Sequence, residues 1–299
     1  MKKYLLLFIA SLFLASAAFA ADSQIWDAMR VQNILGYGQE STLKLGQIFT
    51  MLQANYFAQI FLFILVVIPA GFVLHYVIIG PKVFSHDGTP IYAFSLYSRI
   101  IHQIAAISFI VLVPTGFIMV FGSYFGGGTF VTLMKDLHGI ATIPFAIVII
   151  PMFLVWLKNM FIHWDDIKWL VIVGGYLSKT KRPVPAGKFN AGQKTWYWMA
   201  TLGGAVMILT GAAMYFMDFN IPMLTEMTGL SQIDLLRASA ILHNVVGFGV
   251  TILFFVHIYM AVFAIKGAIH SIITGYKEEQ EVEYLHSSWY KKLKKQGKI

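Results

Sequence analysis

Five long apolar runs constrain this 299-residue chain more than any other feature. They are Tyr56–Ile79, Arg99–Phe121, Asp136–Met160, Lys194–Met217 and Ala238 to about Ile269. A helix of about 20 apolar residues crosses the ~30 Å hydrocarbon core of a bilayer, where its own hydrogen bonds must satisfy every backbone N–H and C=O. Pro69 and Gly71 interrupt the first run, which a buried membrane helix tolerates better than a soluble one. Only 12% of the residues are charged and 58% are hydrophobic, against roughly 25% charged in a soluble domain. Mean hydropathy is +0.70. The expected fold is all-α and integral to a membrane, a transmembrane helix bundle.

The N-terminus has the form of a secretory signal over residues 1–20: Lys2 and Lys3, an apolar core from Tyr4 to Leu14, then Ala18-Phe19-Ala20. Cleavage is expected after Ala20, leaving residues 21–55 as an exported, periplasmic segment ahead of the Tyr56–Ile79 span. Lys168, Lys179, Lys181, Arg182 and Lys188 lie between the third and fourth spans, and a basic tail fills residues 277–299. Both are expected in the cytoplasm by the positive-inside rule. That distribution assigns the net charge of +8 to membrane orientation rather than to nucleic-acid binding. The chain is thus expected to be multi-pass in a bacterial inner membrane, mature N-terminus outside and C-terminus inside.

There is no cysteine, which excludes disulfides, thiolate metal sites and cysteine-ligated iron–sulfur clusters. Any redox centre must use histidine. Of nine histidines, His86, His163, His270 and His286 lie in polar sequence or at a helix end and are expected to be solvated. His75, His102, His138, His243 and His257 fall inside apolar spans, where an ionisable side chain is costly and marks function by default.

Depth sorts these five. His243 and His257 share one helix, fourteen residues apart, and so look toward nearly the same face about 21 Å apart. His138 matches His243 in depth, and His102 matches His257. Each pair can share one iron, since neutral imidazole is a good axial haem ligand. On depth alone His75 competes with His102 for His257. Gly139 and Gly247 would let a flat macrocycle approach the helix backbone. Arg99, Lys135 and Arg237 stand near the histidines and could neutralise haem propionates. A faint internal echo repeats Pro114-Thr115-Gly116 before Leu137-His138 and Leu209-Thr210-Gly211 before Leu242-His243.

With these residues in view, Ser98 to Tyr276 resembles the gamma, or cytochrome b556, subunit of respiratory formate dehydrogenase, within the di-haem cytochromes b. The carriers are Arg99-Ile100-Ile101-His102, Leu137-His138-Gly139, the loop Lys188-Phe189-Asn190-Ala191-Gly192-Gln193-Lys194, Leu242-His243, and His257-Ile258-Tyr259-Met260-Ala261 followed by Lys266-Gly267. The resemblance implies a four-helix di-haem cytochrome b core over residues 98–276, with the span at 56–79 added in front. It implies two b haems, one held by His138 and His243 on the periplasmic side and one by His102 and His257 on the cytoplasmic side. That leaves His75 without a ligand role. It also implies menaquinone as acceptor beside Asn190, Gly192 and Gln193, whose neutral polar groups suit a quinone carbonyl. The residue after His102 is Gln103, where the family often has Trp.

The activity implied is that of an electron-transferring, quinone-reducing subunit. Formate would be oxidised on a molybdenum or tungsten pterin catalytic subunit and its electrons delivered by a periplasmic iron–sulfur subunit. Two alternatives stay open at this point. The same scaffold could serve a hydrogenase or a sulfur-compound reductase, and intramembrane histidines could relay protons in a transporter.

Overall fold

The computed structural model describes residues 44–216 and 222–299. The expected signal and most of the segment that follows it lie outside these residues. Among the described residues, five helical stretches are long and apolar enough to cross a membrane: Leu45–Ile78, Leu96–Val120, Gly128–Asn159, Ala191–Tyr215 and Gln232–Ala264.

The first stretch is two helices, α1 (Leu45–Asn55) and α2 (Phe57–Ile78). Its helix thus begins eleven residues before the expected Tyr56, inside what was read as an exported segment. A short strand β1 (Ile91–Tyr92) precedes α3 (Leu96–Val120), and α4 (Gly128–Trp156) follows. Next come α5 (Trp164–Val171) and α6 (Ala191–Trp198), which passes through a π turn into α7 (Gly204–Tyr215). After α8 (Pro222–Thr228) comes the long α9 (Gln232–Ile258), extended by a π turn over Tyr259–Ala264. There it stops, short of the expected Ile269. Ile265 turns extended and bridges in parallel to Lys82, with Lys82 N–H donating to Ala264 O at 2.8 Å and Lys266 N–H to Lys82 O at 2.9 Å.

Residues beyond that point fold rather than trail. They form α10 (His270–Thr274), strand β2 (Tyr276–Lys277), α11 (Glu279–Leu285) and α12 (Ser287–Lys295). β2 pairs antiparallel with β1, Ile91 opposite Lys277 and Tyr92 opposite Tyr276. The backbone of Val184 and Ala186 bonds to Tyr284, Ser287 and Trp289. Phe84, Trp169, Tyr176, Val184, Ala186 and Leu285 bury one another beneath these bonds. The expected basic tail is therefore a structured cap, because its Val282, Leu285 and Tyr290 side chains are buried against partner surfaces.

The chain divides into two compact units. The first takes the described residues up to Leu62, Ile107–Phe145 and Val206–Val245; the second takes Phe63–Ala106, Ala146–Ala205 and Val246–Ile299, including the cap.

Candidate functional site

In the first unit, α4 supplies His138 and α9 supplies His243, with ring centres 6.4 Å apart and planes at 58°. Each ring is held from behind. His138 Nδ1 lies 2.9 Å from Thr115 Oγ1, and that hydroxyl donates to Val111 O at 2.7 Å. His243 Nδ1 lies 2.9 Å from Thr210 Oγ1, which donates to Val206 O at 2.7 Å. Since each hydroxyl proton goes to its own helix carbonyl, the threonine oxygen accepts from Nδ1–H. This fixes the tautomer and leaves Nε2 with a free lone pair. The glycine after each threonine makes room: a Cβ at Gly116 would sit 3.6 Å from His138 Cε1, and one at Gly211 only 3.3 Å from His243 Cε1. The Thr-Gly echo is thus one device used twice.

In the second unit, α3 supplies His102 and α9 supplies His257, ring centres 6.0 Å apart and planes at 57°. Their support is of another kind. The His257 ring stacks on Trp196 at 5.4 Å and 19°. His102 Nδ1 is buried and finds no hydrogen-bond partner among the described residues. His75 is not free to compete: its Nδ1 meets the Tyr259 hydroxyl at 2.5 Å and its Nε2 meets Tyr176 O at 2.9 Å.

Both pairs pass a simple test of fit to a shared iron. With imidazole nitrogen about 2.0 Å from a transition metal and the ring centre about 1.15 Å behind that nitrogen, two axial imidazoles stand about 6.3 Å apart. The observed 6.4 and 6.0 Å bracket that value. Among the described residues no group of three or more His, Asp or Glu side chains forms an alternative metal site.

The neighbouring cations fare unequally. Arg99 gives one guanidinium N–H to Ile273 O, while its Nε is buried without a partner among the described residues. Lys135 is exposed, near Asp136 at 3.9 Å and over the Tyr215 ring at 5.4 Å. Arg237 is only 9% exposed and already paired with Asp234 at 3.2 Å, so its charge is largely matched by protein. Gly139 serves packing: a Cβ there would meet the Tyr215 ring at 3.0 Å, so its open side faces a tyrosine rather than a macrocycle.

Asn190, Gly192 and Gln193 start α6. Asn190 Oδ1 accepts from Gln193 N–H at 2.9 Å and Gln193 Oε1 accepts from Asn190 N–H at 3.0 Å, a reciprocal capping box. Both side-chain acceptors are committed to the helix start, and the two amide NH2 groups remain as donors. Gly192 lies against Trp169, which a Cβ would meet at 3.0 Å. Lys194, in the next turn, is buried in an ion pair with Asp166 at 2.6 Å.

Of the four histidines expected to be solvated, His86 is exposed beside Glu278, and His163 and His270 are also exposed. His286 is the exception at 2% exposure, bonded through Nδ1 to Gly187 O at 2.8 Å. Burial, and next the Lys277 charge, push its imidazole down to about 4. Polar flanking sequence concealed this, because its partner is 99 residues away. Thr115, Thr210 and Trp196 are the supporting residues that sequence reasoning passed over. The repeated Thr-Gly dipeptide was the available signal for two of them.

The chain is similar to cytochrome subunits of known enzymes. Over 150 residues, 48% of this chain, it is 29% identical to the cytochrome b556 subunit of formate dehydrogenase from Haemophilus influenzae, of which the match spans 59%. It is 26% identical over 212 residues to the Escherichia coli formate dehydrogenase cytochrome b556(fdo) subunit, covering 66% of this chain and 90% of that one. The nitrate-inducible b556(Fdn) subunit of the same organism is 28% identical over 161 residues, covering 51% and 69%. Residues 93–275 match the profile described as Prokaryotic cytochrome b561. On that match, which takes in more than half of the sequence and all four facing histidines, this integral membrane protein belongs to the prokaryotic cytochrome b561 family.

Proposed function

We propose that the chain is the membrane cytochrome subunit of a formate dehydrogenase complex and holds two b haems, one between His138 and His243 and one between His102 and His257. The observation that carries this reading is the pair of ring separations, 6.4 and 6.0 Å, each matching a shared iron. Relatives named as formate dehydrogenase cytochrome subunits support the choice of complex. Bound at these histidines, a b haem would supply one-electron redox chemistry, tuned by its ligands and their hydrogen bonds.

The chain's own part is to hold and orient. His138 and His243 present Nε2 because Thr115 and Thr210 take Nδ1–H. Arg99, with its unpaired Nε, is the best-placed propionate partner, Lys135 the exposed second, and Arg237 acts through its pair with Asp234. The cap and its basic loop lie on the cytoplasmic side by the positive-inside rule. There the amide NH2 groups of Asn190 and Gln193 would donate to a carbonyl of menaquinone, with the Gly192 backbone alongside. On the opposite side the chain would receive electrons from a periplasmic iron–sulfur subunit served by a molybdenum or tungsten pterin subunit.

The test is haem stoichiometry in the purified chain. Wild type should carry about two b haems and His243→Ala about one, with the remaining centre keeping its reduced absorption band. A wild-type protein with no reduced b band overturns the reading. Retention of the full haem content in both His243→Ala and His257→Ala would overturn the ligand sets.

A further inference from the structure

Within the second unit a cavity of about 340 Å³ opens where the chain leaves α2, the loop after α5 folds over, and α11 closes the side. Lys82, Lys181 and Arg182 line it, and no carboxylate does. Among the described residues none of the three forms an ion pair. Lys82 is buried and donates to Ser178 O, while the Lys181 ammonium lies 5.1 Å from the centre of the Phe84 ring. Burial first, and then the Lys181 charge, hold the Lys82 ammonium below its ordinary value. Lys82 is buried while Lys181 and Arg182 are exposed at the mouth; three cations set together without a counter-ion repel one another, and an anion would relieve that cost.

The rim of the cavity is polar on one side, where Ser178, Thr180, Lys181 and Arg182 are exposed, and apolar on another. Ile172 and Leu177 line it and remain 45% and 64% exposed. Lys82 follows the end of α2 at Ile78 by four residues, so the recess lies next to a membrane-spanning segment. Cations beside an apolar edge at that level suit a molecule with a phosphate at one end and hydrocarbon at the other. We propose that this cavity holds the phosphate of an anionic membrane lipid, with its acyl chains along Ile172 and Leu177. The site joins Lys82, Phe84, Tyr284 and Leu285, outside the matched residues 93–275, to a loop inside them. The proposal stands independently of the haem reading.

Full-length protein in detergent can be titrated with phosphatidylglycerol, phosphatidylcholine and inorganic phosphate, with native mass spectrometry counting bound lipid and thermal stability reporting occupancy. Phosphatidylglycerol should bind and stabilise, and phosphatidylcholine should not. Lys181→Gln with Arg182→Gln should weaken phosphatidylglycerol binding about twenty-five-fold, each cation near a membrane surface being worth about fivefold. Far-ultraviolet circular dichroism of the same sample shows whether the fold survives. If the double variant does not fold, Lys181→Gln alone decides, with about a fivefold loss expected. Equal binding of the two lipids, or undiminished binding by the folded variant, overturns the proposal. Stabilisation by inorganic phosphate alone, with no lipid preference, overturns the lipid assignment.

Discussion

In the first unit both facing imidazoles lean on a threonine anchored to the preceding turn, whereas in the second one imidazole lies on an indole and the other has a buried nitrogen unmet by any described residue. Ring spacing is nearly the same in both, so the difference lies in what stands behind the rings. A threonine oxygen accepting from Nδ1–H makes an imidazole a stronger donor through Nε2, which favours ferric over ferrous iron. On the proposed reading, a haem held by His138 and His243 would be the harder to reduce, and electrons entering there would run downhill toward one held by His102 and His257. The second unit also carries the cap, in which Lys277 pairs with Glu281 and His286 is buried, so part of its stability rests on charge far from the facing imidazoles.

The sharpest way to separate the units is to break the buried ion pair between α5 and α6 in the second. Asp166→Ala leaves the Lys194 ammonium buried without its carboxylate and should destabilise the second unit by about 3–5 kcal/mol. In thermal or denaturant unfolding followed by absorbance, the centre at His102 and His257 should be lost first. Loss of both centres together would break the comparison.

Acid acts more weakly in the same direction. Burial pushes His286 down to about 4 from an ordinary 6.5, so the folded cap excludes a proton that the opened chain takes up. Stability is therefore complete above pH about 6.5 and falls as pH drops toward 4, by at most about 3 kcal/mol. Protection factors in α12, which correct for the pH dependence of intrinsic exchange, should fall over that window and should do so less in His286→Gln. Unchanged protection factors between pH 7 and 4.5 would remove His286 from the account.

The smallest effect tests the tuning itself. Thr115→Val and Thr210→Val should each raise the potential of the first centre by tens of millivolts and leave the second unmoved, as read by redox titration. A shift in both centres, or in neither, would separate the hydrogen bonds from the potentials.

Much of this was readable beforehand because membrane helices announce themselves by length and apolarity. The five spans and the pairing of His138 with His243 needed only periodicity and depth, whereas choosing His102 over His75 as the partner of His257 took the family resemblance. Supporting contacts were less legible, since a threonine in an apolar run does not declare which helix it faces. The Thr-Gly repeat was visible, and its meaning came from the position of the imidazoles. Gly139 illustrates the opposite case: a helix glycine beside a histidine suggested room for a cofactor, and a tyrosine fills it. The cap was hidden for another reason. Its stability rests on pairings across about a hundred residues, as between His286 and Gly187, and local composition carries no trace of those.

The short ladder between Ile91–Tyr92 and Tyr276–Lys277 has a consequence for how such a protein can grow. The stretch matched to the family, residues 93–275, begins and ends against that ladder, which brings the two ends of the four-span core side by side. An element grafted before β1 and another grafted after β2 therefore arrive at one seam, where they can pack on each other without threading through the core. The leading span and the closing cap flank that joint, so a change in either can reach the other without moving the histidine posts.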